Sequence, residues 1–369
     1  MRIGFDISIQ ELPEHTGVER AQVTLLEALL AADAGHEYVL FTPGHAANRW
    51  RGRPAVTLVE GDSKPIWFWR ESVVPREIRN HGVKIFHSPV AAIPLRAQCH
   101  LLATIHEVPW AEAGGEFGEH AASHKLRLHL AANFATRLLC VSDRTAKQVC
   151  DLHPDAAPRV RVTPHGIDSR WLAEDDGGPE HPLPGDVKAP FVLTVGRLRR
   201  KKNLLRLLDA FAGRVRSGGP EMLVLVGPDG DASEAVRARA GQSDLAGRVV
   251  LAGYVEDEVL QSLYRGASCV VHPSLFEGFG LPVVEGLAAG VPVIVSRQGA
   301  IPEAGGAEGV GAVLAVDGLD PSDIERGLGL ALDDAQVAAK LVAAGRDHVQ
   351  GCRSERAAQT VLAVYEELA

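Results

Sequence analysis

Three groupings of residues in this chain of 369 could do chemistry. The first is Glu277-Gly278-Phe279-Gly280-Leu281-Pro282-Val283-Val284-Glu285, two carboxylates around a glycine-rich turn. The apolar run Cys269–Val271 before it reads as a buried strand, Gly278–Leu281 as a tight loop, and Pro282 as the first position of a helix that Gly290 ends. Glycine lets backbone approach a ligand closely, and free N–H groups at a helix start attract an anion, so the loop suits a phosphate. The carboxylates then need another partner, and a vicinal pair of sugar hydroxyls offers two donors to one carboxylate. This spacing places Glu277 in the loop and Glu285 in the first turn of the helix, both toward one crevice. A surface loop with turn glycines and solvated glutamates explains the two glutamates and two glycines alone equally well.

The second grouping is Gly196-Arg197-Leu198-Arg199-Arg200-Lys201-Lys202, which follows the strand-like run Phe191–Val195 and precedes a helix from Leu204, with Asn203 as its expected cap. A basic run at the carboxyl end of a strand makes an anion site, and a guanidinium fork with an ammonium suits two phosphates. Arg199, Arg200 and Lys201 are expected to be a solvated basic patch. The third grouping is His106-Glu107, just after the strand Leu101–Ile105, where open α/β sheets place their ligands. Asp229-Gly230-Asp231 has metal-motif spacing but is read as a turn, and the five cysteines show no Cys-x-x-Cys spacing and are expected to be reduced.

Two series of short apolar strands alternating with helical periodicity must hold these groups, which predicts an α/β chain of two domains. The expected limits are an N-terminal domain at 1–173, a Pro-, Gly- and acid-rich linker at 174–189, a C-terminal domain at 190–353, and a final helix at 354–369 returning to the first domain. Thr16 is a candidate helix cap, with Gly17 allowing close approach at the same entrance. No Gly-x-Gly-x-x-Gly follows the first strand, which counts against a nicotinamide site. A helix near 67–81 carries Trp67, Phe68 and Trp69, read as packing residues with acceptor contact as the lesser alternative. The segment His124–Arg137 reads as a basic amphipathic helix, either solvated or resting weakly on an anionic membrane. A net charge of −9 argues against a nucleic-acid partner, and the lack of an apolar run of about 18 residues argues for a cytoplasmic protein, at most peripheral on the membrane.

The string Glu277 to Glu285, continued by Gly286-Leu287-Ala288-Ala289-Gly290-Val291-Pro292-Val293, resembles the signature of the retaining glycosyltransferases of the large fourth family. Thr16-Gly17-Val18-Glu19-Arg20, Gly196-Arg197 with Lys202-Asn203, and Gly253-Tyr254-Val255 with Asp257 resemble further family elements. The resemblance spans nearly the whole chain and departs from the pattern at Glu107, where the family has aspartate, and at His165, where it has asparagine. It implies the GT-B architecture, two Rossmann-like domains facing each other across a cleft. It also implies a retaining, metal-independent hexosyltransferase without a cofactor, using a nucleotide-diphosphate sugar, GDP-mannose before UDP-sugars, and a glycan, glycolipid or small-molecule acceptor. By that resemblance Arg197, Lys202 and the Gly278, Phe279, Gly280 and Leu281 amides hold the diphosphate, with Gly17 facing it. Tyr254 and Val255 lie near the base, Glu285 holds the ribose, Glu277 the sugar hydroxyls, and His106 stands opposite. A nucleotide-sugar 2-epimerase and a non-catalytic nucleotide-sugar sensor are the rival expectations.

Overall fold

A computed structural model describes residues 1–11, 17–32, 34–45, 48–61, 65–111, 121–172, 181–299, 301–306 and 311–369. The chain divides into two compact units, Met1–Gly166 with Ser354–Ala369, and Ile167–Arg353. The division falls at Gly166, where the sequence carried the first domain on to residue 173. Ile167 is fastened to the second unit by a backbone bridge to Arg353, and its N–H donates to the Cys352 carbonyl at 2.8 Å.

In the first unit the strands β1 (Arg2–Asp6), β2 (Glu37–Thr42), β3 (Val56–Glu60), β4 (Ile85–Ser88), β5 (His100–Ile105), β6 (Arg137–Cys140) and β7 (Val160–Val162) form one parallel sheet in the order β3-β2-β1-β4-β5-β6-β7. Successive side chains point to opposite faces, so Tyr38 and Leu40 enter one core while Val39 and Phe41 enter the other. The central strands are covered on both faces, which is why stretches such as Tyr38–Phe41 and Leu101–Ile105 are largely apolar. The helix Ser354–Glu366 supplies Val361, Val364 and Tyr365 to the core that holds Ile3, Phe5 and Leu26.

The second unit repeats the plan with β8 (Phe191–Val195), β9 (Met222–Val226), β10 (Val249–Gly253), β11 (Cys269–His272), β12 (Val293–Ser296) and β13 (Leu314–Val316), ordered β10-β9-β8-β11-β12-β13 and again parallel. The three-residue β13 carries no pattern long enough to be seen in the sequence. The strand order reverses between β1 and β4 in one unit and between β8 and β11 in the other. Chains leaving such neighbouring strands diverge to opposite sides and leave room for a ligand at their carboxyl ends.

Several local expectations are corrected. The helical stretch after residue 65 runs from Ile66 to Asn80 with a π-helical segment at Trp69–Val73. Only Trp69 of its aromatic cluster is buried, whereas Trp67 is 63% and Phe68 46% exposed. The basic helix spans Ala121–Phe134 and is not segregated into two faces, since Leu126 and Phe134 are exposed beside Lys125 and Arg127 while Leu128, Ala131 and Ala132 are buried. Asn203 precedes the helix Leu204–Arg216 but does not cap it. Its backbone is left-handed at φ 58°, a region asparagine tolerates, and its amide instead donates to the carbonyls of Pro273 at 3.1 Å and Gly318 at 2.6 Å. Thr16 lies outside the described residues.

Candidate functional site

The groups of the second unit gather at its switch point. The loop after β8 carries Gly196 to Lys202, and the loop after β11 carries Pro273 to Gly280, so adjacent parallel strands deliver the basic run and the glycine-rich turn side by side. Gly196 has φ 146°, and a Cβ there would stand 2.9 Å from Lys202 Cε and 3.0 Å from its Nζ. The missing side chain is the space through which the lysine reaches. Lys202 Nζ ends 2.5 Å from Glu277 Oε1.

Glu277 is the electrostatic centre of this site. Its side chain is 12% exposed, with Lys201 Nζ 3.5 Å from Oε2 and His272 Nε2 3.7 Å from Oε1. Burial by itself would raise the pKa of this carboxyl, but the charges of Lys201 and Lys202 outweigh it and hold the group well below the usual carboxylate range. His272, fully buried, is pushed down to about 3 by burial and by Lys202, so it stands neutral beside the pair and its Nε2 meets Ser274 Oγ at 3.3 Å. Gly299, left-handed at φ 73°, packs its α-carbon against this loop, where a Cβ would come within 3.1 Å of the Glu277 amide nitrogen.

Lys201 was expected in solvent and is not there. Its side chain is 13% exposed, its ammonium lies 5.1 Å from the centre of the Phe276 ring, and its carbonyl accepts from the Leu275 N–H at 2.8 Å. Arg199 and Arg200 are exposed, as a solvated patch requires. Arg197 turns toward the loop after β9 and donates from Nη1 to the Asp229 carbonyl at 2.8 Å. Asp229 pairs with Arg237 and Asp231 accepts from the Arg200 N–H, so both aspartates serve the turn.

The helix that follows the glycines runs Leu281–Ala288 from a left-handed Gly280 at φ 106°, which puts Pro282 second and Glu285 in the second turn rather than the first. Phe279 and Leu281 are buried, so in this loop the backbone rather than these side chains is presented. Glu285 is only 2% exposed, and Tyr264 Oη donates to its Oε2 at 2.8 Å. The two glutamates therefore occupy different surroundings, Glu277 among ammoniums and Glu285 against a phenol. In the sequence Tyr264 stands with Leu260 and Leu263 in an amphipathic helix, with nothing local to mark it as a partner of Glu285. Gly253, left-handed at φ 67°, ends β10 and turns the chain so that Tyr254 is part-exposed, with Val255 half-buried after it.

In the first unit, His106 follows β5 and its Nε2 lies 2.7 Å from the Pro89 carbonyl, which also accepts from Gln22 Nε2 at 2.9 Å. A carbonyl cannot donate, so Nε2 carries the hydrogen and Nδ1 is the acceptor. His165 Nε2, 3.1 Å from that Nδ1, then donates to it, and the two rings stack with centroids 5.1 Å apart. Burial lowers the pKa of both rings, partly offset at His106 by the Pro89 carbonyl, Glu107 and Glu19 and reinforced at His165 by His106. Both nitrogens of His106 are thus held by protein, so the ring is a fixed neutral group. The Pro89 carbonyl fixes its tautomer, and His165, the residue that departs from the family pattern, donates to the nitrogen left as acceptor. Gly17 begins the helix Gly17–Ala31, which brings Glu19 and Gln22 to this place.

Among the described residues no three His, Cys, Asp or Glu side chains gather as a metal site, and no helix is long and apolar enough to cross a membrane.

Residues 181–348 match the family Glycosyl transferases group 1, and residues 15–171 match Glycosyltransferase Family 4. The chain belongs to the group 1 glycosyltransferases. Its curated relatives include the O-antigen chain mannosyltransferase B of Escherichia coli, 28% identical over 67% of this chain and 64% of that protein. The chain spans between about half and two thirds of the length of the first curated relatives it matches. Its fold is similar to that of sucrose-phosphate synthase from Thermosynechococcus elongatus, with a TM-score of 0.79 and 22% identity over 100% of this chain and 99% of that one. It is also similar to Anabaena HepE in complex with UDP and glucose, with a TM-score of 0.76 and 17% identity over 100% of both chains. These likenesses give this group 1 chain the two-domain GT-B fold.

Proposed function

We propose that this protein is a retaining glycosyltransferase that moves a sugar from a nucleotide-diphosphate sugar to a glycan, glycolipid or small-molecule acceptor. The observation that carries the reading is Glu277, a buried and ionised carboxylate 2.5 Å from the Lys202 ammonium, directly before the glycine loop and helix start at Gly278–Leu281. A diphosphate suits the ammonium and the helix-start amides, and the sugar attached to it then falls beside the carboxylate. Arg197 and Lys202 neutralise the leaving diphosphate, and Glu285 accepts from the ribose hydroxyls. The positive charge assigned to these side chains and amides is what a divalent cation would otherwise supply, so metal independence belongs to the same proposal.

The reaction breaks the bond between the anomeric carbon and the diphosphate oxygen and forms one from the same carbon to the acceptor oxygen. The acceptor proton passes to the departing phosphate oxygen, on the same face of the sugar. His106, neutral and held at both nitrogens, is assigned no proton transfer in this reaction.

GDP-mannose is the first donor proposed, supported by the mannosyltransferase among the relatives, and the UDP and glucose bound in Anabaena HepE keep UDP-sugars as the second. A panel of nucleotide sugars, followed by calorimetry and donor hydrolysis, tests the reading, and NMR of the product anomer tests retention. An inverted anomer overturns the mechanism. Conversion of donor to an epimerised sugar without acceptor, or tight binding without turnover on any acceptor, overturns the activity.

A further inference from the structure

We propose that Lys201 is a positioning residue, whose ammonium keeps Glu277 ionised and oriented toward the donor sugar when the diphosphate draws Lys202 away. This rests on the reading of Glu277 as the sugar-binding carboxylate and adds a residue which the family motif leaves unassigned.

The two neighbouring lysines are built differently. Lys202 reaches Glu277 across the open α-carbon of Gly196, from the loop after β8. Lys201 is tied to the loop of Glu277 itself, through the Leu275 N–H on its carbonyl at 2.8 Å and the Phe276 ring under its ammonium at 5.1 Å. Each takes its own carboxylate oxygen, Lys202 at Oε1 and Lys201 at Oε2. The ammonium of Lys201 is thereby seated on the loop that carries Glu277.

Charge explains why two lysines are needed. One carboxylate and two ammoniums leave an excess positive charge in a site that is 12–14% exposed at these side chains. An anionic diphosphate fits that excess, but it is also a like-charged neighbour for Glu277. With Lys202 shared between them, a carboxylate without Lys201 would face burial and repulsion together, both of which favour its protonated form. A protonated Glu277 has given up part of its acceptor capacity to its own O–H and carries no charge to oppose the positive charge that develops on the sugar ring.

Lys201→Met keeps the stem over Phe276 and removes the charge, and Lys201→Arg keeps the charge. On the full chain with the donor found by the panel, Lys201→Met should lower kcat about tenfold or more, as loss of stabilisation in the transition state does. It should move the acid limb of the kcat–pH profile upward, leave nucleoside diphosphate affinity within about threefold by calorimetry, and be rescued by Lys201→Arg. Without any donor, thermal unfolding of Lys201→Met, Glu277→Gln and the double variant should show a coupling between the two residues. Lys201→Met with unchanged kcat and pH profile overturns the proposal, as does a loss of diphosphate affinity matching that of Lys202→Met, which would make Lys201 a phosphate ligand. If the wild-type chain binds no nucleotide sugar, the underlying reading falls first and the Lys201 role with it, whatever the coupling. That outcome is distinct from an active wild type whose Lys201 variants behave alike.

Discussion

Lys202 and Glu277 come from loops on two neighbouring parallel strands and meet at 2.5 Å, so the cation proposed for the diphosphate and the carboxylate proposed for the sugar form one ion pair. Binding a donor must therefore exchange one anion for another at Lys202. Replacing Lys202 by alanine should lower kcat/KM by about two to three powers of ten, since charge stabilisation that grows as the diphosphate leaves is lost. Arg197→Ala should do the same. Steady-state kinetics decide, and both variants within about threefold of wild type while folded would displace the diphosphate from this site.

The two glutamates should separate in their kinetics. Glu285 is assigned to the ribose, which does not change during the reaction, so Glu285→Gln should raise the donor KM and weaken binding of the bare nucleoside diphosphate. Glu277 is assigned to the ring that becomes positive, so Glu277→Gln should lower kcat and leave nucleoside diphosphate affinity nearly unchanged. Calorimetry with the diphosphate isolates the ribose contact because that ligand carries no sugar. Equal losses of affinity in both variants would refute the division.

Tyr264→Phe tests the buried partner of Glu285. The change removes one donor from a carboxylate that is 2% exposed, which should cost roughly 1–3 kcal/mol of stability and reduce nucleoside diphosphate affinity with kcat preserved. Thermal unfolding and calorimetry on one preparation measure both. A variant as stable as wild type with unaltered affinity would show that the phenol does not position the glutamate.

Stability should fall on mild acidification because of buried neutral histidines. His87 bonds Tyr365 at 2.7 Å and Thr104 at 2.8 Å, and burial pushes its pKa from 6.5 down to about 3, as burial does to that of His272. Between those values the unfolded chain binds more protons than the folded one, so stability is fully present above 6.5 and is lost progressively as the pH falls toward 3. Glu277 adds nothing to this slope until the pH drops through the ordinary carboxylate range, because its folded pKa is depressed. Unfolding midpoints across this range should decline steadily, and His87→Gln should flatten the decline. A flat profile in the wild type would contradict the buried neutral state.

Turnover should survive excess chelator, since the charge on the diphosphate is assigned to Arg197, Lys202 and a helix start. Activity lost in chelator and restored by magnesium or manganese would refute that assignment.

The sequence alone determined the two α/β series and the order of Glu277, the glycine turn and Glu285 along the chain, because those features are local. Strands buried on both faces show as apolar runs, and a turn needing positive φ shows as glycine. Which side chains touch was decided by the tertiary structure. Lys201 read like its neighbours Arg199 and Arg200, and only the placing of β8 beside β11 put it over Phe276 and against Glu277. Asn203 looked like a helix cap until its left-handed backbone turned its amide toward Pro273 and Gly318, which lie in other loops. Tyr264 and His165 have no local signal for their bonds to Glu285 and His106, since each pair joins residues far apart in the chain. Pattern records what a residue needs from its immediate neighbours, whereas an ion pair or a fixed tautomer depends on what the fold brings to it from elsewhere.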